Sequence, residues 1–309
     1  MTMTRRQFVK NSSVATLASL TASISAKPAF ASTKIDLGDS RIDTVSDGHL
    51  SLPGSFIFDR MPTDQLLPIL TRHGISPEKL TPECNVTLLR NGERTVLFDV
   101  GSGPDFTQSA GMLVEMLETL DVFPEDITDI VFTHAHPDHL WGVLDDFDDP
   151  LFTNASYMIG KDEWDYWVDP NTVDTIGGAR TAFAVGAKRR LQMIEDNITL
   201  FADDQEIVPG IAARSTYGHT PGHMSFEVRS GNDSVMIVGD AIGNHHVGFE
   251  RPEWASGSDQ DRELGAATRV KLLDQLASAQ MPMIGFHLPD GGIGRVERKD
   301  DSYQFVTEV

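Results

Sequence analysis

Four side chains able to bind a cation stand within six residues at His134-Ala135-His136-Pro137-Asp138-His139. Crowding them together without a cation is costly, because unpaired imidazoles pack poorly and Asp138 needs a counter-charge. The run follows Ile130-Val131-Phe132, a short apolar stretch that reads as a buried strand. A turn leaving that strand can aim His134 and His136 at one ion. Asp138 and His139, opening the next helix, can then reach a second. The same placement recurs where Val235-Met236-Ile237-Val238 runs into Gly239-Asp240, and where Met283-Ile284-Gly285-Phe286 runs into His287. Polar groups at strand ends project from a rigid sheet toward a common edge, where ligands of mixed α/β folds bind.

The surrounding chain is consistent with such a frame. Val86-Thr87-Leu88-Leu89 and Thr95-Val96-Leu97-Phe98 flank Asn91-Gly92, a strong hairpin signal. Leu113, Met116, Leu117 and Leu120 recur at helical spacing, and Ser258-Asp259-Gln260-Asp261 reads as a capping box opening a helix that carries Leu264, Ala267, Val270 and Leu273. No repeat, low-complexity tract or linker interrupts the chain from Arg41 onward, so residues 32–309 are expected to form one mixed α/β domain. Ahead of it, Thr4-Arg5-Arg6-Gln7-Phe8-Val9-Lys10 precedes an apolar run, Val14 to Ala26, too short to span a bilayer, and Ala29-Phe30-Ala31 offers a small-x-small cleavage site. Residues 1–31 are expected to be a twin-arginine export signal, removed in a periplasmic or secreted product.

Charge and cysteine content exclude several functions. The chain carries 46 Asp and Glu against 25 Lys and Arg, a formal charge of −21. Such a surface repels phosphate backbones and anionic lipid, which argues against nucleic-acid partners and stable membrane insertion. The single cysteine, Cys84, can form no internal disulfide and no thiolate cluster, so a metal site is expected to use nitrogen and oxygen donors. Cys84 itself reads as a buried small hydrophobe, and Met112, Met116, Met281 and Met283 as core filler.

The HxHxDH run, the turn Gly218-His219-Thr220-Pro221-Gly222-His223, Gly239-Asp240 and His287, in that order, resemble the ligand series of the metallo-β-lactamase-fold hydrolases. Phe98-Asp99-Val100-Gly101-Ser102-Gly103 resembles the turn beneath that family's site. Val45-Ser46-Asp47-Gly48, Phe286-His287-Leu288-Pro289 and Gly292-Ile293-Gly294-Arg295 look most like the branch of methyl parathion hydrolase and related exported lactonase-like enzymes. The likeness spans most of residues 32–309 and is weak from Lys161 to Asp196.

That resemblance implies an αββα sandwich, two mixed β-sheets face to face with helices outside. It implies one divalent metal held by His134, His136 and His219, a second by Asp138, His139 and His287, and Asp240 bridging them. Zinc suits such donors, and manganese, iron or cobalt are admitted. Asp138 would also help move a proton to the leaving group, and Asp99 would support the ligands from behind. The implied activity is hydrolysis of a small neutral lactone, carboxylic ester or phosphotriester by a hydroxide shared between the metals, and the implied assembly is a homodimer.

Departures from sibling patterns narrow the choice. Class B β-lactamases generally place a cysteine where this chain has Asp240; diiron flavoproteins of the fold resemble HxExDH, whereas position 136 is histidine; the fold's nucleases usually add a basic domain. A glyoxalase II-like thioesterase, a mononuclear iron sulfur dioxygenase and a metal-binding module without turnover remain as alternatives. For the pocket, Trp167 is expected as an aromatic wall and His245, His246 and Phe249 at the entrance, with His223 behind the ligands.

Overall fold

A computed structural model describes residues 33–92, 94–244 and 246–307. The expected export signal and His245 lie outside the described residues. Among the described residues no helix is long and apolar enough to cross a membrane.

Fourteen strands form two seven-stranded sheets, each ordered as the chain runs. The first holds β1 (Thr33–Leu37), β2 (Ser40–His49), β3 (Glu83–Asn91), β4 (Arg94–Phe98), β5 (Asp129–Phe132), β6 (Ser156–Gly160) and β7 (Ile198–Phe201). Pairing is antiparallel from β1 to β4 and parallel from β4 to β7. The Asn91-Gly92 hairpin forms as expected, with Asn91 opposite Arg94. The second sheet holds β8 (Glu206–Val208), β9 (Ile211–Ser215), β10 (Met224–Ser230), β11 (Asp233–Gly239), β12 (Met283–Gly285), β13 (Ile293–Lys299) and β14 (Ser302–Val306). Only β11 and β12 pair in parallel there.

Both faces of each sheet are apolar, because each is covered twice. On β4, Val96 and Phe98 point between the sheets while Leu97 points out; on β11, Val235 and Ile237 point in while Met236 and Val238 point out. The inner layer joins Phe98, Val131 and Ile42 to Phe226, Ile237 and Ile284. Outside the first sheet, Leu97, Ile130 and Phe132 pack with Leu117, Trp167 and Leu191 of the helices Leu113–Glu118, Lys161–Val168 and Thr181–Met193. Outside the second sheet, Leu272, Leu273 and Leu276 of the helix Arg262–Ala279 cover Met236, Val238 and Met283. This is the expected αββα sandwich.

The register of that last helix differs from expectation. Its N-cap is Asp261, whose Oδ1 accepts from Leu264 N at 3.0 Å, not Ser258. Leu264, Ala267 and Val270 face solvent, while the buried stripe runs through Gly265, Ala266, Arg269, Leu272, Leu273, Leu276 and Ala277. Small residues at the first turn let the helix approach the loop at Gly218 closely, and large apolar residues alone do not reveal such a face. Met112, expected in the core, is exposed.

Candidate metal centre

Each donor leaves a rigid element. β5 ends at Phe132, and Thr133 N donates to Asp99 Oδ1 at 2.8 Å, fixing the chain as it turns toward His134 and His136. Pro137 then opens the single turn Pro137–Leu140, which carries Asp138 and His139. Asp240 follows β11 through Gly239 at φ +52°, where a Cβ would stand 2.8 Å from His223 Nε2. His287 follows β12, and Asn85 Nδ2 braces it by donating to the carbonyls of Phe286 and Leu288 at 3.0 and 2.8 Å.

All seven sequence-nominated donors converge. His134 Nε2 and His219 Nε2 lie 3.0 and 2.9 Å from His136 Nδ1. Beside them, His287 Nε2 lies 3.1 Å from Asp138 Oδ2, and His139 Nε2 lies 3.6 Å from the same oxygen. Asp240 touches both groups: its Oδ2 is 3.3 Å from both His219 Nε2 and His287 Nε2, and its Oδ1 is 3.3 Å from His139 Nε2. All seven are at least nine-tenths buried except His287, which is partly exposed.

The outer ring nitrogens are held from behind. His139 Nδ1 meets Asp99 Oδ2 at 2.8 Å, His287 Nδ1 donates to the Glu83 carbonyl at 2.7 Å, and His219 Nδ1 lies 3.3 Å from Asp259 Oδ1. Thr133 Oγ1 donates to Asp99 Oδ2 and so accepts from His134 Nδ1 at 3.0 Å. A ring that donates outward turns a lone pair inward, the tautomer a cation requires. Asp99 thus stands behind His139 and His134, and His223 behind Asp240. His223 Nε2 accepts from Asp240 N at 3.0 Å, and burial lowers its pKa to about 3, which keeps it neutral.

Charge divides the site. Burial, reinforced by neighbouring imidazoles, pushes His134 and His136 well below the usual histidine range. Burial also opposes charge on His139, but the carboxylates of Asp240, Asp138 and Asp99 overcome it and raise its pKa to about 10. Against the same burial, Asp240 and Asp138 raise His287 well above the ordinary value. Asp138 Oδ2, His139 Nε2 and Asp240 Oδ1 are buried without hydrogen-bond partners among the described residues. Orphaned polar atoms aimed at one another, three imidazole nitrogens in mutual contact and carboxylates beside them fit a pair of divalent cations with nitrogen and oxygen ligands.

Other placements depart from expectation. Trp167 lines no part of the cavity over the donors: it is fully buried, edge-on behind His136 at 5.8 Å between ring centroids. Its apolar ring is drawn into the helix–sheet core rather than the pocket. Phe249 is likewise fully buried, packed on Phe305 under the second sheet. His246 does line the cavity, beside Phe58. Cys84 is buried as expected, yet its Sγ lies within 4.8 Å of donor atoms of Asp138 and His287, a proximity its place on β3 gave no sign of. Burial pushes that thiol up to about 12, so it stays protonated.

The cavity over the donors measures about 380 Å³. Its floor is His136, Asp138, His219, Asp240 and His287, and it extends into an apolar arm lined by Leu50, Leu52, Phe56, Ile57, Ile75 and Leu80. The sequence signal missed this arm because its residues precede the first ligand by fifty positions or more and show no motif.

The sequence profile described as the Metallo-beta-lactamase superfamily matches residues 82–293, which include every donor. The chain belongs to the metallo-β-lactamase superfamily. Among curated relatives it is 22% identical over 180 residues to an N-acyl homoserine lactonase of Bacillus cereus and 24% identical over 181 residues to one of Bacillus thuringiensis subsp. kurstaki. Each match covers 56% of this chain and 60% of the relative's length. Among solved structures, AidC, a dizinc quorum-quenching lactonase in complex with a product, is 27% identical with a TM-score of 0.84, covering 90% of this chain and 97% of AidC. The hydrolase AbOPH is 27% identical with a TM-score of 0.83 over the same shares.

Proposed function

We propose that this chain is a dinuclear metal-dependent hydrolase that opens lactones bearing an apolar substituent. The observation that carries this is the continuity of the donor cluster with the apolar arm in one cavity. The dizinc lactonase neighbour and the lactonase relatives support the same choice of substrate class.

His134, His136 and His219 would hold one cation and Asp138, His139 and His287 the other, with Asp240 within reach of both. Zinc suits these donors best, and manganese, iron or cobalt are admitted by the same set. Two divalent cations, when bound, supply Lewis acidity toward a carbonyl oxygen and a water made acidic enough to attack near neutral pH. The protein's own part is orientation. Leu50, Phe56, Ile75 and Leu80 seat an acyl or alkyl arm, so the polar end of a substrate is left over the donors with its reacting carbonyl directed at them. Carboxylic esters and phosphotriesters offer similar electrophilic centres without the matched arm and are expected to turn over more slowly.

Proton release from protein loaded separately with Zn²⁺, Mn²⁺ and Co²⁺ tests this. The panel comprises N-acyl homoserine lactones of increasing chain length, simple γ-lactones, aryl esters, a phosphotriester and a glutathione thioester. Lactone turnover that improves with acyl length is expected. Preference for the thioester, or activity that needs O₂ rather than water alone, would replace this proposal with one of the alternatives above.

A further inference from the structure

Glu163 is fully buried on the helix Lys161–Val168, and its carboxylate takes four hydrogen bonds. Oε1 accepts from Ala135 N at 2.9 Å and from Trp167 Nε1 at 2.6 Å; Oε2 accepts from Thr220 Oγ1 at 2.7 Å and from Gly222 N at 3.0 Å. Ala135 lies between His134 and His136, and Thr220 follows His219. One carboxylate therefore ties together the two loops that supply all three imidazoles of one metal position. None of its four partners belongs to Asp138, His139, Asp240 or His287.

The approach is close enough to constrain sequence. A Cβ on Gly222 would stand 2.0 Å from Glu163 N, so glycine there lets the helix start press against the His219 loop. Trp167 completes the clamp: the indole that donates to Glu163 also packs against His136. We propose that Glu163, backed by Trp167, is a positioning residue that sets the geometry and cation affinity of the His134–His136–His219 position selectively, leaving the Asp138–His139–His287 position to other supports. This rests on the dinuclear reading above and adds a division of labour to it.

The physical reason is rigidity. Three imidazole nitrogens from two separate loops bind a cation tightly only if the loops are already in register, and supports behind ligands typically carry about 10–100-fold in metal affinity. Glu163→Gln keeps the side chain's size but turns an amide N–H₂ toward one pair of donors, so at most one loop stays bound well. Thr220→Val removes one donor with little change of shape and serves should Glu163→Gln fold poorly.

The test is titration of Co²⁺ into the metal-free whole chain, followed by paramagnetically shifted imidazole N–H resonances and by stoichiometry. The wild-type chain is expected to take two ions. Either variant is expected to weaken one ion about 10–100-fold. The shifted signals of His134 and His219 should move or broaden, while those of His139 and His287 stay in place; Trp167→Phe should do the same to a smaller degree. Equal weakening of both ions, or of neither, with two ions bound by the wild type, overturns the role of Glu163 and leaves the dinuclear centre standing. Failure of the wild type to bind two ions overturns both.

Discussion

In one half of the site the donors are the imidazoles of His134, His136 and His219, two of which burial holds well below the ordinary histidine pKa. In the other half, Asp138 and Asp240 beside His139 and His287, with Asp99 behind His139, drive the basicity of both imidazoles up. In the first half imidazole nitrogens face one another, with the Asp240 and Asp259 carboxylates meeting only His219, and it depends on being held in register; the second is richer in carboxylate and depends on a counter-charge, a proton or a cation. Their supports differ in kind. Glu163 grips the first from a helix outside the sheets and Asp259 from the loop before another, whereas Glu83 and Asn85 brace the second from a strand and Asp99 from the end of one. The two halves thus rest on largely different supports, meeting at Asp240 and, through Thr133, at Asp99.

Asp240→Asn should have the largest effect, because it removes the one group shared by both halves. A fall of order 100-fold or more in kcat/KM is expected, with fewer than two ions retained by metal analysis. A variant that kept two ions and full activity would break the division and the ligand assignment with it. Asp99→Asn sharpens the comparison. It strips the carboxylate from His139 Nδ1, so the carboxylate-rich half should lose about 10–100-fold in Co²⁺ affinity. The histidine half should lose less, through Thr133 and His134. An even loss across both ions would show that the halves are not separable.

The smallest effect is on stability. Asp47 accepts from Ser102 N, Gly111 N and Leu113 N and so fixes the turn that begins at Asp99. Burial, outweighing those three hydrogen bonds, raises its pKa from 3.8 to about 6. The folded state therefore holds this proton more tightly than the unfolded chain. The stabilisation from protonation is fully present below pH 4 and is lost as pH rises to 6, on the order of 3 kcal/mol across that window. In denaturant melts, Asp47→Asn should therefore cost more stability relative to wild type at pH 4.5 than at pH 7. A difference that does not change with pH would remove Asp47 as a titrating support of that turn.

How much of this was legible in sequence follows from what each residue's neighbours in the chain reveal. His134 to His139 announce themselves because four donors in six residues have no cheap alternative explanation. His219, Asp240 and His287 are single residues, legible because each follows an apolar run or sits in a glycine-marked turn in a known order. Glu163 lies in the stretch Lys161 to Asp196, where the family likeness is weak, surrounded by Asp162 and Asp165 that look like an ordinary solvated face. Asp259 looked like part of a helix cap; it pairs with Arg269 and His219 instead. Trp167 and Phe249 look alike in sequence to aromatic rings that line pockets, and only packing against Leu191 and Phe305 decides that they do not.

The sequence by itself determined the donor types, their order and the strands that end at them, because ligand chemistry and period-two burial are written locally. Tertiary structure alone decided which carboxylates stand behind which imidazoles, that Cys84 abuts Asp138 and His287, and that residues near 50 and 80 wall an apolar arm over donors beyond residue 134. Those contacts join segments far apart in the chain, and a single sequence carries no signal of distance between residues that neither repeat nor alternate together.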